Sequence, residues 1–323
     1  MRHDEMRMVA VGTATQDVFL VGGEVFKPKH EGNAEYAHIP MGEKLVMDDV
    51  VFTSGGNAMN AAVTFARQGL NSEFIGFVGN DPAGLALASE LDNEGVNTRS
   101  LHQEDHFKTS YSSILLAPTG ERTILRFYGS TRNLQAKDYD LSALEGAAWV
   151  YLSSVGSMEL LERCVTEATK HKVQIAFNPG TAELKSPEKI LALLEDIDVL
   201  LMNKEEVQKL VQGKTLDELV RHAHRLVPTV VISDGPRGAI ATDGETVVKA
   251  GMYEDVPVVD RTGAGDAFGS GFVSYWAKGA PLHEAVLFAS ANSTSVVRQI
   301  GAKAGILHKG VELHEMPIEE TRF

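Results

Sequence analysis

The chain has 323 residues, of which 43% are hydrophobic and 23% charged, and its formal net charge is −14. This length and composition predict a globular protein of the size of one large α/β domain, and they exclude disordered and fibrous classes. The acidic balance argues against a nucleic-acid partner, because phosphates would be repelled by the surface.

Cys164 is the only cysteine, so no internal disulfide can form and a reducing cytoplasm is the expected compartment. Apolar residues surround it at helical spacing, which predicts a buried core thiol rather than a nucleophile. Residues 1–7 are charged and lack the apolar core of a signal peptide. No stretch reaches the roughly 18 apolar residues of a membrane-spanning helix, so no membrane partner is expected.

The first half of the chain mixes predicted strands and helices with polar insertions. The apolar run Met8–Gly12 predicts a buried parallel strand. The polar stretch 24–49 predicts a hairpin that leaves the main sheet, and the runs 111–117 and 122–128 predict a β-hairpin. The other elements predicted here are helices at 57–68 and 82–94 and a strand at 74–78.

From residue 147 onward strands and helices alternate steadily, which is typical of βαβ units and a parallel sheet covered on both faces. No repeat or linker divides the chain, so we predict one α/β domain with a small β lid. The predicted strands are 148–152, 173–177, 199–202 and 229–233, followed by a hairpin at 239–248. The predicted helices are 157–171, 187–195, 203–212, 215–226, 264–278 and 282–299.

Three apparent motifs fail on inspection. Gly213-Lys214-Thr215 looks like the end of a P-loop, but Gln208 stands where its first glycine should be. Gly263-Ala264-Gly265 begins a dinucleotide fingerprint, but Phe268 occupies the third glycine position. His222 and His224 are two residues apart on a predicted helix and point to different faces, so they do not predict a metal site.

The segment from Val258 to Phe268 carries the strongest chemical signal. It reads Val-Val-Asp-Arg-Thr-Gly-Ala-Gly-Asp-Ala-Phe: a strand-like dipeptide, a turn of small residues and a helix start. The amides from Gly263 to Asp266 lack helical acceptors, so with the helix dipole they form an anion hole. The Asp266 carboxylate could accept a proton from an alcohol that attacks a phosphoryl group bound there. The alternative is a first-turn acidic residue that only favours the dipole.

This segment resembles the second signature of the ribokinase-like (PfkB) carbohydrate kinase family. The resemblance covers nearly the whole chain, from about Val9 to Gly305, and its signatures occur in the family's order. The other similar segments are Gly12 with Asp17, the run 54–62, Gly76–Gly84, Asn203–Glu206 and Ser233–Gly238. The resemblance implies an ATP-dependent kinase that transfers the γ-phosphate to a hydroxyl, expected to be a primary CH2OH, of a sugar or nucleoside.

The resemblance also implies a fold and an acceptor site. The expected fold is a ribokinase-like three-layer α/β/α domain over 1–323, with a mainly parallel central sheet and lid insertions at 18–48 and 106–130. Asp266 would be the catalytic base, beside an anion hole of Gly263, Ala264 and Gly265. Asp17 and Asn60 are implied as acceptor and donor for substrate hydroxyls, with Gly55, Gly56 and Asn57 shaping the pocket.

The nucleotide site is implied in the same way. The residues carried over to the nucleotide are Asn178, Asn203, Ser233, Gly235, Gly238, Ser290 and Asn292. For Asn178 a plain turn role before Pro179 stays open. Ser233 stands where a threonine is common in this loop of the family, so the hydroxyl group is kept.

Two metal sites follow from the resemblance. Asn203 and Glu206 would hold Mg²⁺, largely through water, as suits a cation that dehydrates reluctantly. A K⁺ site would use Asp260 and backbone carbonyls of Thr262, Val296, Gln299 and Gly301. A serine ligand of ribokinases is Gly305 here, which leaves K⁺ activation open.

The acceptor is not fixed by these residues. Ribokinases usually carry Lys-Gly in the sugar loop where this chain has Asn57-Ala58, so an ammonium donor is lost and ribose is less favoured. Free sugars, sugar acids and nucleosides all stay open, and a phosphosugar would need extra cations, for which Lys27, Lys29, Arg126 and Arg132 are available. A catalytically silent regulator is the second alternative, and unpaired lid strands could pair across a homodimer.

Overall fold

The computed structural model describes residues 6–32, 34–253 and 256–323. Predictions for residues 1–5 and for position 33 of the first insertion lie outside the described residues. None of the helices in this part of the chain is long and apolar enough to cross a membrane.

In the described residues ten strands form the main sheet, four form a second sheet and two form a hairpin. The strands are β1 (Arg7–Gly12), β2 (Thr15–Val21), β3 (Lys29–Glu31), β4 (Ala34–Tyr36), β5 (Asp49–Gly55), β6 (Asn71–Gly79), β7 (Leu101–Glu104), β8 (Ser110–Leu116), β9 (Arg122–Phe127), β10 (Trp149–Ser153), β11 (Gln174–Asn178), β12 (Val199–Asn203), β13 (Thr229–Ser233), β14 (Ala239–Thr242), β15 (Thr246–Ala250) and β16 (Ile318–Arg322). The helices are α1 (Asn57–Arg67), α2 (Pro82–Asn93), α3 (Met158–Lys170), α4 (Pro187–Leu193), α5 (Lys204–Val207), α6 (Leu216–His224), α7 (Ala264–Trp276) and α8 (Leu282–Val296).

The main sheet has the order β16-β15-β14-β13-β12-β11-β10-β1-β6-β7. The strands from β13 to β7 are parallel, while β14, β15 and β16 are antiparallel additions at one edge. The first strand lies in the middle, between β10 and β6, so the strand order reverses there. Such a reversal opens a crevice beyond the carboxyl ends of the strands.

Both faces of the main sheet are covered, because successive side chains of its strands point to opposite sides. On β1, Val9 and Val11 belong to one buried cluster, whereas Met8 and Ala10 belong to the other. The first cluster packs against α3 to α6, and the second against α1, α2, α7 and α8. The predicted three-layer α/β/α architecture is therefore confirmed. Cys164 is buried in the first cluster, and burial raises its pKa to about 12.

Helix starts follow the local sequence. Asp81 caps α2 by accepting a hydrogen bond from the Gly84 amide (2.8 Å), as expected of an N-cap carboxylate. Ser157 caps α3 in the same way, through the Leu160 amide (3.1 Å). Gly95 follows α2 with a φ of 73°, the left-handed conformation that favours glycine after a helix.

Three sequence predictions are corrected by the structure. The helix expected at 203–212 contains only Lys204–Val207 as α-helix, because the next turn tightens into i→i−3 bonds such as Leu210 N to Val207 O (2.9 Å). Val258 and Val259 form no strand; Val259 N instead donates to Val297 O after α8 (2.8 Å). Strand β16 was not predicted, since only one of its five residues is apolar and it forms by pairing with β15.

The second sheet has the order β5-β2-β8-β9 and packs around Phe19, Ile114 and Leu116. Its strands overlap the predicted insertions 18–48 and 106–130 only in part, because β2 begins at Thr15 and β5 runs from Asp49 to Gly55. The lid role of these segments stays a prediction, as does the homodimer through their edges. Apolar side chains of this sheet, among them Phe52 (72% exposed) and Phe127 (53%), face solvent.

Candidate active site

Asp266 lies in the first turn of α7, directly after a turn that requires glycine. Gly263 caps the helix in the left-handed conformation (φ 78°), and a Cβ there would lie 2.4 Å from the Ala302 Cβ. The first carbonyl used by the helix is that of Gly263, which accepts from Ala267 N (2.8 Å). The amides of Gly265 and Asp266 therefore precede the helical ladder and can face an anion.

A cavity of about 200 Å³ opens in front of this turn, and we call it the α7 cavity. Predicted site residues that line it come from six elements or their ends: Asn57, Asn178, Asn203, Glu206, Ser233, Gly263, Gly265 and Asp266. A Cβ added to Gly265 would meet no atom of another segment within 4 Å, so the space beside this glycine is open. The topology therefore brings eight of the predicted site residues together around one cavity.

Asp266 is held by Asn60, whose Nδ2 donates to its Oδ2 (2.8 Å). Burial raises the pKa of Asp266 to about 6, and the charges of Glu206 and Asp17 act in the same direction. The hydrogen bond from Asn60 and the positive charge of Lys303 oppose that increase. The carboxylate is thus basic enough to accept a proton and is ionised at neutral pH.

Lys303 is a residue that the sequence reasoning missed. It is 2% exposed, and its Nζ donates to Asn60 Oδ1 (3.1 Å) and lies 3.7 Å from Glu90 Oε1. Burial lowers its pKa, while nearby carboxylates, including Asp17 and Asp266, raise it. The amide nitrogen of Asn60 therefore binds Asp266 and its amide oxygen binds Lys303, so both groups already have partners within the protein. The sequence signal that could have indicated this residue is a single lysine within 300–307, a run that otherwise consists of small and apolar residues.

Asp17 lies on β2 and is 7% exposed. Its carboxylate fills the space beside Gly55, where a Cβ would lie 2.1 Å from Asp17 Oδ2. Burial raises the pKa of Asp17, opposed by Ser112, Lys303 and Arg126. Position 56 requires glycine, because its φ is 100° and because a Cβ there would lie 2.2 Å from the Thr13 carbonyl oxygen.

Asn57 stands at the border between the α7 cavity and a larger cavity of about 660 Å³. Its Nδ2 donates to Ser154 Oγ (2.9 Å). Ser154 has a φ of 48°, a left-handed conformation that costs energy for a residue other than glycine and is commonest at functional sites.

A third cavity, of about 310 Å³, also borders Gly265, and we call it the α8 cavity. It shares Ser233, Gly265 and Phe268 with the α7 cavity. The predicted residues Gly235, Gly238 and Ser290 line it, together with residues that sequence reasoning missed: Met252, Val258, Ser293, Thr294 and Val297. Asn292 is fully buried, donates to Ala267 O (2.8 Å) and accepts from Leu307 N (2.8 Å), so it joins α7 to α8.

The predicted Mg²⁺ residues form the cap of α5. Asn203 Oδ1 accepts from Glu206 N (2.9 Å), and Glu206 Oε2 accepts from Asn203 N (2.9 Å). Burial raises the pKa of Glu206, so a cation near it would be favourable. A carboxylate and amides facing one cavity are oxygen donors of the kind Mg²⁺ prefers through water, so these residues fit the ion.

The predicted K⁺ site stays a prediction, and its one carboxylate, Asp260, is engaged within the protein. Asp260 is fully buried, and its Oδ1 accepts from Thr262 N (3.0 Å) and Oγ1 (2.8 Å). Its Oδ2 accepts from Gly301 N (3.0 Å), and the Arg122 Nε lies 3.9 Å from Oδ1. Both carboxylate oxygens are thus occupied by donors, and an arginine of the second sheet supplies the positive charge.

Comparisons with known proteins agree with this architecture. A family model described as pfkB family carbohydrate kinase matches residues 32–309. Ribokinase of Haemophilus influenzae is 27% identical over 278 residues, which cover 82% of this chain and 88% of that protein. ATP-dependent 6-phosphofructokinase of Thermoanaerobacterium thermosaccharolyticum is 26% identical over 261 residues (77% and 80%).

Among solved structures, the Methanocaldococcus jannaschii nucleoside kinase, an archaeal member of the ribokinase family, superposes with a TM-score of 0.75. The match covers 93% of this chain and 94% of that one at 21% identity. The predicted ribokinase-like fold is therefore confirmed.

Proposed function

The chain belongs to the pfkB family of carbohydrate kinases, and on this premise we propose that Asp266 is its general base in phosphoryl transfer from ATP. Family membership makes it a phosphotransferase that acts on a sugar or nucleoside. The observation that carries the finer proposal is the position of Asp266: a basic carboxylate in the first turn of α7, beside amides kept accessible by Gly265.

In the proposed reaction a hydroxyl of the acceptor gives its proton to the Asp266 carboxylate as its oxygen attacks the γ-phosphorus. The bond from that phosphorus to the β–γ bridging oxygen breaks, and ADP leaves. Negative charge on the transferring group faces the amides at the start of α7, which need no reorganisation to stabilise it. Asn60 keeps the base in place by its 2.8 Å hydrogen bond.

The α7 and α8 cavities share three lining residues, and this supports the placement of ATP across them. The mainly apolar α8 cavity would take the adenosine, with Gly235, Gly238 and Ser290 at its walls. The phosphates would pass Gly265 into the α7 cavity, where Asn178, Asn203 and Glu206 lie. When bound there, Mg²⁺ would neutralise phosphate charge; Asn203 and Glu206 are the residues that would hold it.

We propose that the second sheet covers the acceptor, because β2 carries Asp17 and the end of β5 leads into α1 with Asn57 and Asn60. Sugars and nucleosides both stay open as acceptors. In this arrangement Asn60 acts on the acceptor indirectly, by orienting Asp266.

Replacing Gly265 by alanine should leave the fold unchanged and reduce kcat by about 100-fold, the typical cost of impairing an anion hole. The added Cβ would meet no atom of another segment within 4 Å, yet it would narrow the α7 cavity, which Gly265 lines. Steady-state kinetics and the midpoint of thermal unfolding test this. Full activity in a folded Gly265→Ala protein would contradict the proposed phosphate position.

Replacing Glu206 by glutamine should raise the Mg²⁺ concentration needed for half-maximal activity and lower kcat by about tenfold or more, because a carboxylate holds hydrated Mg²⁺ better than an amide. Glu205→Gln is the matched control, since the neighbouring Glu205 is exposed and does not line the α7 cavity in the described residues. Equal Mg²⁺ dependence in the two variants would exclude Glu206 from metal binding.

The pH dependence of kcat/KM for the acceptor should show an acid limb near pH 6. Burial raises the pKa of Asp266 to about 6, and only the ionised carboxylate can accept the proton. Activity should therefore be flat above about pH 7 and fall about tenfold per pH unit well below pH 6. A limb near the ordinary carboxyl pKa of about 4 would argue against this base.

The direct test is ADP release with MgATP and a panel of ribose, fructose, 2-keto-3-deoxygluconate, fructose 6-phosphate, adenosine, cytidine and inosine, with Asp266→Asn as control. Turnover that is lost in the variant supports the proposed function. Turnover that persists in the variant removes Asp266 as base.

A further inference from the structure

The cavity of about 660 Å³ beside Asn57 has a size typical of small-molecule sites. It adjoins the α7 cavity at Asn57, so a ligand in it can reach toward Asp266. Its lining combines hydroxyl groups, such as those of Ser154 and Thr181, with three cations: Arg126, Arg132 and Lys185. We call it the cationic cavity.

The charge of this cavity is opposite to that of the chain. The protein carries a net charge of −14, yet the only acidic residue among those that line the cationic cavity in the described chain is Glu183. Both of its carboxylate oxygens accept backbone amides, from Gly156 (2.6 Å) and Gly180 (2.8 Å), and the side chain is fully buried. It is therefore committed to the loop structure, and three cations against one carboxylate leave the lining with an excess of positive charge.

The two arginines are oriented by one aromatic ring. The guanidinium carbons of Arg132 and Arg126 lie 4.4 and 5.0 Å from the centroid of Tyr128. Within the described chain neither arginine forms an ion pair with a carboxylate, whereas Lys27 pairs with Glu24 (3.1 Å). Stacking on a ring fixes a guanidinium while leaving its N–H groups available for a bidentate anion.

Arg126 also connects this cavity to the acceptor residues. Its Nη2 lies 3.5 Å from Thr15 Oγ1, on the strand that carries Asp17. The positive charge of Arg126 lowers the pKa of Asp17, whereas burial raises it. A substrate could thus meet Asp17 with its hydroxyls and the arginines with its far end.

We propose that the acceptor carries a compact anionic group, a phosphate or carboxylate, which Arg126 and Arg132 bind at the end away from the reacting hydroxyl. Lys185 adds charge at the rim of the same cavity. This inference rests on the proposed function, since it names the acceptor class of that site. A neutral nucleoside or free sugar would bring no anion to these cations, which form no ion pair within the described chain.

The test compares acceptors with and without the anion. Fructose 6-phosphate represents phosphates and 2-keto-3-deoxygluconate carboxylates, against fructose and adenosine as neutral acceptors. We expect kcat/KM for one of the anionic acceptors to exceed both neutral ones by about 100-fold or more, as two charge-assisted hydrogen-bonding side chains allow. Whichever anionic acceptor is better identifies the group.

Arg126→Gln and Arg132→Gln should each lower that kcat/KM by about 10- to 100-fold, mainly through KM, and leave KM for ATP unchanged. Lys137→Gln is the control, because Lys137 is exposed on the following segment and lies outside the described lining of the cavity. A neutral acceptor that is used as well as any anionic one, or arginine variants that match the Lys137 control, would overturn the inference.

Calorimetry on Asp266→Asn separates this inference from the proposed function. Binding of fructose 6-phosphate or 2-keto-3-deoxygluconate that is lost when Arg126 and Arg132 are both glutamine supports the anion site, whatever the turnover. ADP release from a neutral acceptor that Asp266→Asn abolishes, without binding of either anion, upholds the proposed function and overturns the inference.

Discussion

Asp266→Asn is expected to lower kcat by about 10²- to 10⁴-fold, the range found when a general base is removed. Asparagine keeps the shape and can still accept the hydrogen bond that Asn60 donates to Asp266 (2.8 Å). The anion hole is unchanged, so ATP should bind with nearly the same Kd. Single-turnover kinetics and calorimetric titration with ATP would measure the two effects separately.

The same substitution should stabilise the protein at pH 8. Because burial raises the pKa of Asp266 to about 6, the fold favours the protonated form. The carboxyl's favourable contribution is present below its ordinary pKa and is lost as the pH rises through 6. At pH 8 the ionised carboxylate therefore costs stability, and asparagine removes that cost.

Scanning calorimetry at pH 8 and pH 5 would measure this effect. The Tm advantage of Asp266→Asn should be largest at pH 8 and shrink at pH 5. An unchanged Tm at pH 8 would show that the carboxylate is solvated well enough to be ionised without cost.

Lys303→Met is expected to lower the free energy of unfolding by about 1–3 kcal/mol, the usual cost of leaving a buried hydrogen-bonding group without its partner. The substitution keeps the length of the side chain but leaves Glu90 and Asn60 without the ammonium group. Lys309→Met is the control, because Lys309 is exposed on the same segment. Urea unfolding of both variants would measure the difference.

Lys303→Met should also move the acid limb of the pH profile upward. The positive charge of Lys303 lowers the pKa of Asp266. When this charge is removed, burial raises the pKa of Asp266 further. A purely structural role for Lys303 would change stability and not the pH profile. Glu90→Gln combined with Lys303→Met should recover part of the lost stability, because the uncompensated carboxylate is then absent.

The main sheet could be predicted from the sequence because its strands are short apolar runs buried on both faces. Val199–Asn203 and Thr229–Ser233 carry that pattern without help from distant residues. The turn at Gly263 and the position of Asp266 were also predictable, since a helix start and its free amides are local properties.

Features that depend on a distant partner were not predictable in this way. Strand β16 is polar and exists because β15 offers an unpaired edge. Val258 and Val259 have strand-like side chains, but the Val259 amide donates to the Val297 carbonyl at the end of α8. The Lys303 network joins residues separated by up to 243 positions, such as Asn60 and Lys303, and no local pattern encodes that contact.

Asp17 and Gly55 have a consequence for how this sequence can diverge. The two residues share one volume, since any side chain at position 55 would begin 2.1 Å from the Asp17 carboxylate oxygen. A larger residue at position 55 would have to displace the Asp17 carboxylate, so the two positions are expected to vary together among homologues. A lineage that replaces Gly55 would therefore move the group proposed to hold the acceptor.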